Sequence, residues 1–147
     1  MIMKFLIFLI PVIALIGFIF IGWKTSWVNK QPSGDKKMKD IADRIRAGAM
    51  AFLKSEYKTL IIFVVAVAIL LFFKSTAEET SNGFVVISFI AGAFLSGFTG
   101  YMGMRIATKA NVRTTQAAKT SLSKALGIAF SGGSVMGIGV VSTGILG

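Results

Sequence analysis

The sequence predicts an all-α membrane protein with four transmembrane helices, and composition and charge patterning lead to that fold class. Hydrophobic residues make up 54% of the 147 residues, more than a soluble domain keeps away from water. Four stretches, 5–23, 59–73, 80–104 and 125–147, contain no charged residue. A helix needs about 20 apolar residues to cross a hydrocarbon core roughly 30 Å thick. Three stretches are long enough. The second has only 15 residues and needs residues of its N-terminal flank to span the membrane.

The basic residues supply a third observation and an orientation. Fourteen of the sixteen Lys and Arg fall within 24–58 and 105–124. Basic loops stay in the cytoplasm, so cytoplasmic loops are predicted at 24–46 and 105–124, with the N-terminus, the 74–82 connection and Gly147 outside. Because this topology accounts for the net charge of +10 and no groove-entering motif is present, nucleic-acid binding is not expected.

The absence of Cys and His restricts the chemistry available to the chain. It excludes disulfides, thiol nucleophiles, soft metal sites and imidazole acid–base catalysis. Any reaction would have to use carboxylates, ammonium groups, hydroxyls or the backbone.

The first helix is predicted at about 5–23. Lys4 followed by an apolar run also has the outline of a secretory signal peptide. The run is long for that role and no A-x-A cleavage site follows it, and Trp23 and Trp27 are typical of interfacial anchors, so a retained helix is favoured. Pro11 removes a backbone donor inside the helix and predicts a kink.

The second helix is predicted at 35–73, with a cytoplasmic extension, after a turn signal at 31–35. Asp35 or Ser33 can cap its N-terminus. At about 1.5 Å per residue it reaches nearly 60 Å, so its first half stands outside the membrane. The residues expected to form its apolar face are Met38, Ile41, Ile45, Ala49 and Phe52, and the expected i,i+4 ion pairs are Asp35 with Lys39 and Asp40 with Arg44.

The third and fourth helices are predicted at 82–104 and 125–147, and both are rich in small residues. Such residues let helix backbones approach closely in lipid, where hydrophobicity does not drive association. The expected contact faces are Gly92, Ser96 and Gly100 in the third helix, and Gly127, Ser131, Gly139, Thr143 and Gly147 in the fourth, with Gly133 and Gly137 beside them. A Gly-rich ion path is the alternative, but neither segment contains the ionisable group that intramembrane transport sites usually have.

The 105–124 segment allows two interpretations. Arg113 and Lys109 could bind a phosphate together with a helix N-terminus beginning at Thr114 or Thr115. The segment could equally be only a determinant of topology, which is the favoured interpretation. No phosphate-binding G-x-x-x-x-G-K-[ST] loop occurs in the chain.

Three motifs carry a resemblance to a known family. Residues 100–114 (GYMGMRIATKANVRT), followed by 125–126 (AL) and 129–137 (AFSGGSVMG), resemble the third and fourth helices of membrane-embedded, ion-pumping inorganic pyrophosphatases. Residues 45–58 (IRAGAMAFLKSEYK) are similar to the second-helix motif of that family. The resemblance covers roughly residues 37–147, whereas the first helix matches only in placement.

The resemblance implies an enzyme that hydrolyses pyrophosphate at a cytoplasmic site with Mg²⁺ and couples the reaction to export of sodium ions or protons. It implies about sixteen transmembrane helices, two subunits per assembly and an integral location, expected to be the bacterial inner membrane. It leaves open K⁺ or Na⁺ as an activator. The 147 residues would then be one partial domain, an N-terminal fragment that is inactive alone.

No catalytic, cofactor-binding or metal-binding residue is assigned. In the family, the acidic clusters that bind magnesium pyrophosphate belong to later helices. The acids expected on the cytoplasmic side are spread beside Lys and Arg, as on a solvated face; they are Asp35, Asp40, Asp43 and Glu56. The alternative function is a stand-alone four-helix membrane scaffold or interaction protein without catalysis.

Overall fold

A computed structural model describes the backbone of residues 2–77 and 83–146 and the side chains of 9–75 and 83–146. It contains four helices: α1 (Ile2–Lys30), α2 (Lys36–Ala77), α3 (Phe84–Ala118) and α4 (Leu122–Leu146). All four are long and apolar enough to cross a membrane. The all-α fold with four transmembrane helices is therefore confirmed. Most of the 74–82 connection (residues 78–82) and Gly147, both expected outside, lie beyond the described residues.

The predicted loops are largely helical, which corrects the sequence-based boundaries. Helix α1 continues to Lys30 instead of ending at residue 23, and α3 continues to Ala118 instead of residue 104. Charged residues mark where a helix leaves the hydrocarbon, but Lys, Arg, Ala and Gln are good helix formers. Since 105–118 contains neither Gly nor Pro, nothing in this segment ends the helix. The predicted 24–46 and 105–124 loops shrink to short connections at 31–35 and 119–121.

One local prediction about the helices, the cap of α2, is confirmed. Asp35 caps α2 as expected, since its Oδ1 accepts a hydrogen bond from the backbone N–H of Met38 at 2.9 Å. Gly34, just before it, has a φ of 82°, a left-handed conformation that favours glycine. Pro11 lies inside α1, which remains a single helix on both sides of it.

The helices pack in the spatial order α2, α3, α4, α1. The largest interface joins α3 to α4, α1 packs mainly against α4 and less against α3, and α2 packs against α3. Within the described residues, α2 contacts neither α1 nor α4. The 31–35 connection therefore joins two helices that are neighbours in sequence but do not pack together.

Small residues allow α3 and α4 to approach closely, as expected, but they are not all the predicted ones. Ser131, Gly139 and Thr143 of α4 are buried as predicted, whereas Gly127, Gly133 and Gly137 have no neighbour in position to meet an added Cβ. One tight approach of α3 and α4 is at Gly132, where an added Cβ would lie 2.6 Å from the Cβ of Ala110. An α-helix has 3.6 residues per turn, so residues spaced by four are each rotated by about 40° around the helix axis from the one before. A stripe with that spacing therefore turns away from the neighbouring helix after a few steps.

The face predicted for α3 is wrong for the same reason. Gly92 has open space beside it and Ser96 is exposed, while Gly100 meets the hydroxyl of Tyr57. The buried residues of α3 are Thr99, Gly103, Ile106, Ala110 and Ala117, and their steps of four, three, four and seven residues keep them on one face of the helix. Thr99 Oγ1 lies 3.2 Å from Thr143 Oγ1 in this interface.

The α2–α3 interface is fixed near its middle by Tyr57, whose hydroxyl donates a hydrogen bond to the carbonyl of Gly97. Ile41, Ile45 and Phe52, predicted to be on the apolar packing face, are about half exposed. The half-buried positions of α2 include Met38, Ala42, Arg46, Ala49, Leu53 and Tyr57. The two predicted i,i+4 ion pairs do not form; Asp35 instead pairs with Lys119 at 3.5 Å, the one ion pair between described side chains.

Candidate functional site

The candidate site lies at the end of the bundle where α1 and α3 end and α2 and α4 begin, which we call the basic end. The uncharged part of α3 stops before Arg105, and Lys109 and Arg113 follow on successive turns of the same helix. The first turns of α2 lie antiparallel to this part of α3. Both basic segments of the sequence therefore meet at one end of the molecule.

A cleft of about 250 Å³ opens at the basic end between α2, α3 and the 31–35 connection. Its lining contains four cationic side chains against one carboxylate, together with hydroxyl groups from two sides. The charged and hydroxyl-bearing lining residues are Lys39, Asp43, Arg46, Lys109, Arg113, Ser33 and Thr108. The opposite flank of the same helix pair carries a smaller, mainly apolar groove of about 130 Å³ beside Ile41 and Ile45. The pair of helices thus has one basic flank and one apolar flank.

Arg113 is held in place by backbone carbonyls. Its Nη1 donates to the carbonyl of Lys109 at 2.9 Å, and its Nη2 donates to the carbonyl of Asn29 at 3.3 Å, which ties α3 to the end of α1. Its Nε is buried without a hydrogen-bond partner in the described structure. Burial lowers the pKa of the Arg113 guanidinium. Among the described residues, this positioned guanidinium has no neutralising carboxylate.

Lys109 lies beyond the membrane-spanning part of α3 and faces other cations. Burial lowers the pKa of its ammonium group, and the positive charges of Arg105, Arg46 and Arg113 lower it further. Asp43 lines the same cleft but forms no ion pair with these cations in the described structure. Repulsion among uncompensated cations means that a bound anion would stabilise the cleft.

Asp35 and Lys119 connect the two short turns of the basic end. Besides the ion pair at 3.5 Å, Lys119 Nζ lies 3.2 Å from Met38 Sδ. The backbone N–H of Met38 and the charge of Lys119 lower the pKa of the Asp35 carboxyl. This exposed contact joins the start of α2 to the end of α3.

The alternative phosphate-binding arrangement remains a prediction: its two cations lie together, but the helix terminus expected beside them is absent from the described structure. Lys109 and Arg113 do line one cleft. Thr114 and Thr115, however, lie inside α3, and the Thr115 hydroxyl donates to the carbonyl of Asn111 at 3.1 Å. No helix begins there. Lys39 and Arg46 were not predicted because they come from α2, and only the antiparallel register brings them opposite Lys109.

A metal-binding cluster is not found in the described part of the chain, where no group of three or more acidic side chains converges. Asp40, Asp43 and Glu56 are exposed along α2, and Asp35 is engaged by Lys119. Magnesium pyrophosphate requires clustered oxygen ligands, so these residues do not fit a Mg²⁺ site. No catalytic step can be derived from them.

The polar contacts nearer the membrane centre involve hydroxyl groups. The hydroxyl oxygens of Thr99 and Thr143 meet between α3 and α4, and the Thr143 hydroxyl donates to the carbonyl of Gly139 in its own helix. Lys24 of α1 donates to Ser131 Oγ at 3.4 Å and lies over the rings of Trp23 and Trp27. Such contacts hold helices together and anchor α1 at the interface.

The four-helix arrangement and these motifs can be compared with known proteins. The model of the family described as inorganic H⁺ pyrophosphatase matches residues 15–147. The chain belongs to this family. The match includes α2, α3 and α4 in full and most of α1, so the family assignment rests on nearly the whole described structure.

Several curated members of the pyrophosphatase family are similar to the chain. A protein of Methanosarcina mazei named K(+)-insensitive pyrophosphate-energized proton pump is 38% identical over 99% of this chain. A protein of Moorella thermoacetica named K(+)-insensitive pyrophosphate-energized proton pump 2 is 40% identical over 95%. A K(+)-stimulated pyrophosphate-energized sodium pump of Thermotoga maritima is 39% identical over 97%. The chain spans about a fifth of the length of these relatives, namely 21%, 20% and 19%.

Proposed function

We propose that the chain is the N-terminal part of a pyrophosphate-energised ion pump, which couples hydrolysis of inorganic pyrophosphate to export of sodium ions or protons. The observation that carries this proposal is the family match over 15–147, in a structure whose four helices can all cross a membrane. Relatives matched along almost the whole chain are named for this activity.

In this proposal the four helices contribute scaffold and not reacting groups. Hydrolysis needs Mg²⁺ held by clustered carboxylates, which the described residues do not provide. We assign that site, and any K⁺ or Na⁺ activation, to the rest of the pump. The chain's own contribution is to bury small-residue surfaces within a larger bundle of about sixteen helices, in a protein of two subunits.

The proposed orientation places the basic end in the cytoplasm and the N-terminus outside, in a bacterial inner membrane. It is supported by the concentration of Lys and Arg at one end of the four helices. The basic end would then lie on the side of the membrane where cytoplasmic pyrophosphate is hydrolysed.

The decisive experiment compares the 147-residue chain with the protein expressed from its complete reading frame. Both are reconstituted into liposomes with Mg²⁺ and pyrophosphate, with and without Na⁺ and K⁺, while phosphate release and ion uptake are measured. The complete protein is expected to release phosphate and take up Na⁺ or H⁺, and the chain alone to do neither. Turnover by the chain alone near the rate of the complete protein would place the active site within these residues and contradict the scaffold role.

The same preparation identifies the transported ion. Relatives named as proton pumps and as sodium pumps match at nearly equal identity, 38% and 39%, so similarity does not choose between the two ions. A pH-sensitive dye inside the liposomes reports proton uptake, and ²²Na⁺ accumulation that survives a protonophore reports primary sodium transport. If neither signal accompanies pyrophosphate hydrolysis, the coupling part of the proposal is wrong.

A further inference from the structure

We propose that the basic cleft between α2 and α3 binds the phosphate-bearing headgroup of an anionic phospholipid. The proposal concerns the cleft lined by Lys39, Arg46, Lys109 and Arg113, and it does not depend on the pump activity. It rests on the charge of the cleft, its depth relative to the membrane and the shape of the surface below it.

The charge of the cleft selects an anion. Four cationic side chains line it, and Asp43 is the single opposing carboxylate. Arg46 offers a planar guanidinium suited to two phosphate oxygens, and Lys109 offers a compact positive charge. The Ser33 hydroxyl lies on the same lining, whereas the Thr108 hydroxyl donates to a backbone carbonyl of its own helix. This combination matches a phosphodiester carrying one negative charge and several acceptor oxygens.

The depth of the cleft matches the headgroup layer. The uncharged part of α3 ends before Arg105, which places the hydrocarbon boundary near that residue. Lys109 follows by one helical turn, about 6 Å farther along the axis. The headgroup layer on each side of a bilayer is roughly 5–8 Å thick. Lys109, and Arg46 on the facing helix, therefore lie at the level of lipid phosphates.

The surface below the cleft provides room for acyl chains. Arg113 reaches the carbonyl of Asn29, so the cleft lies on the flank of α3 that faces the end of α1. Among the described residues α1 and α2 do not touch, and the 31–35 connection bridges them only at the basic end. A lipid in the space between α1 and α2 would place its headgroup under this connection. Basic pockets between transmembrane helices are known to bind anionic headgroups.

The test uses the protein from its complete reading frame in a neutral detergent, with lipid binding measured by native mass spectrometry at constant ionic strength. Phosphatidylglycerol is the probe, and phosphatidylcholine is the zwitterionic comparison. The double variant Arg46→Gln with Lys109→Gln is expected to weaken phosphatidylglycerol binding roughly thirtyfold, since each interfacial cation contributes about a factor of five. Binding of phosphatidylcholine should not change.

Two further variants separate the cleft from general surface charge. Lys36→Gln with Arg44→Gln removes two exposed charges from the same part of α2, outside the cleft lining, and should change binding by less than about threefold. Asp43→Asn removes the only carboxylate of the lining and should tighten phosphatidylglycerol binding severalfold. If these residues only stabilised the fold, removing a cation and removing the carboxylate would not change phosphatidylglycerol affinity in opposite directions.

Several outcomes would overturn the proposal. Equal losses in the two double variants would mean that total charge, and not the cleft, retains the lipid. Displacement of phosphatidylglycerol by millimolar phosphate or pyrophosphate, but not by the same ionic strength of chloride, would assign the cleft to a soluble anion. If the Arg46→Gln, Lys109→Gln protein does not fold, Asp43→Asn decides alone, and unchanged or weaker binding contradicts the assignment.

Discussion

Replacing Gly132 by Ala adds one methyl group at a tight approach of α3 and α4. An ideal Cβ at Gly132 would lie 2.6 Å from the Cβ of Ala110, whereas ordinary contact begins at 3.4 Å. The obstructing atom belongs to a short side chain that cannot rotate away. The adjacent residue, Gly133, has nothing within 4 Å of an added Cβ, so Gly133→Ala is a control with the same chemistry on the same helix.

The cost follows from the displacement that the methyl group requires. The helices must separate locally by roughly 1 Å, and a gap of 0.5–1 Å forfeits about a quarter to a half of each dispersion contact. Overpacking of this kind costs about 1–3 kcal/mol. Gly132→Ala should therefore lower the unfolding free energy by about this amount, while Gly133→Ala, which meets no neighbour among the described residues, should cost less.

The assay is detergent-induced unfolding of the protein from its complete reading frame, titrated with sodium dodecyl sulfate and followed by circular dichroism. Ala110→Gly, combined with Gly132→Ala, restores the space and should recover most of the loss, which makes the coupling measurable in a double-mutant cycle. If Gly132→Ala and Gly133→Ala unfold at the same midpoint, or if Ala110→Gly gives no rescue, the close approach of α3 and α4 is not where the structure places it.

Three other predictions concern α2, its cap and the topology. Tyr57→Phe removes a hydroxyl donor to a carbonyl of α3 and should lower the unfolding free energy by about 0.6 kcal/mol in the same titration, with an unchanged value counting against that contact. The folded-state pKa of the Asp35 carboxyl is lowered from 3.8. Its contribution to the free energy of unfolding is therefore present above pH 3.8 and is lost as the pH falls through the folded-state pKa. Asp35→Asn should abolish this acid-side dependence, and a profile identical to wild type would be inconsistent with it. In intact cells, single cysteines at Ser33 and Thr115 should resist an impermeant thiol reagent while one at Asn82 reacts, and the reverse pattern would invert the topology.

The number of helices and their approximate positions could be predicted because the bilayer imposes them. A charge-free stretch of sufficient length has few alternatives to a spanning helix. The helix ends could not be predicted from the same signal. Arg105 ends the hydrophobic span of α3 but not the helix, which continues for three more turns, to Ala118, because no residue in that segment breaks it.

The residues on the contact faces could not be predicted, because the sequence does not say which side of each helix faces its partner. Gly132 and Gly133 are equivalent in composition, yet only Gly132 meets another helix. Burial on α4 follows Ala125, Ile128, Gly132, Val135 and Gly139, and this spacing can be recognised only when the partner is known.

The full lining of the cleft could not be predicted either, because it combines residues of two helices. Lys109 and Arg113 were considered together as possible phosphate ligands because both lie in the short basic segment 105–124. Arg46 joins them through the register of α2 on α3, which the Tyr57 hydroxyl and the Gly97 carbonyl fix across 40 residues of sequence. No local pattern contains that register.

The order in which the helices pack has a consequence for biosynthesis. Helix α1 finds its main partner in α4, and the contact of Lys24 with Ser131 joins residues 107 positions apart. Translation proceeds at roughly 5–20 residues per second, so α1 is in the bilayer for on the order of ten seconds before α4 has been synthesised. During this time α1 must be stable in lipid without its main packing partner. The first two helices contain the more apolar windows, and the two Gly-rich helices, which depend on close partners, are synthesised after them.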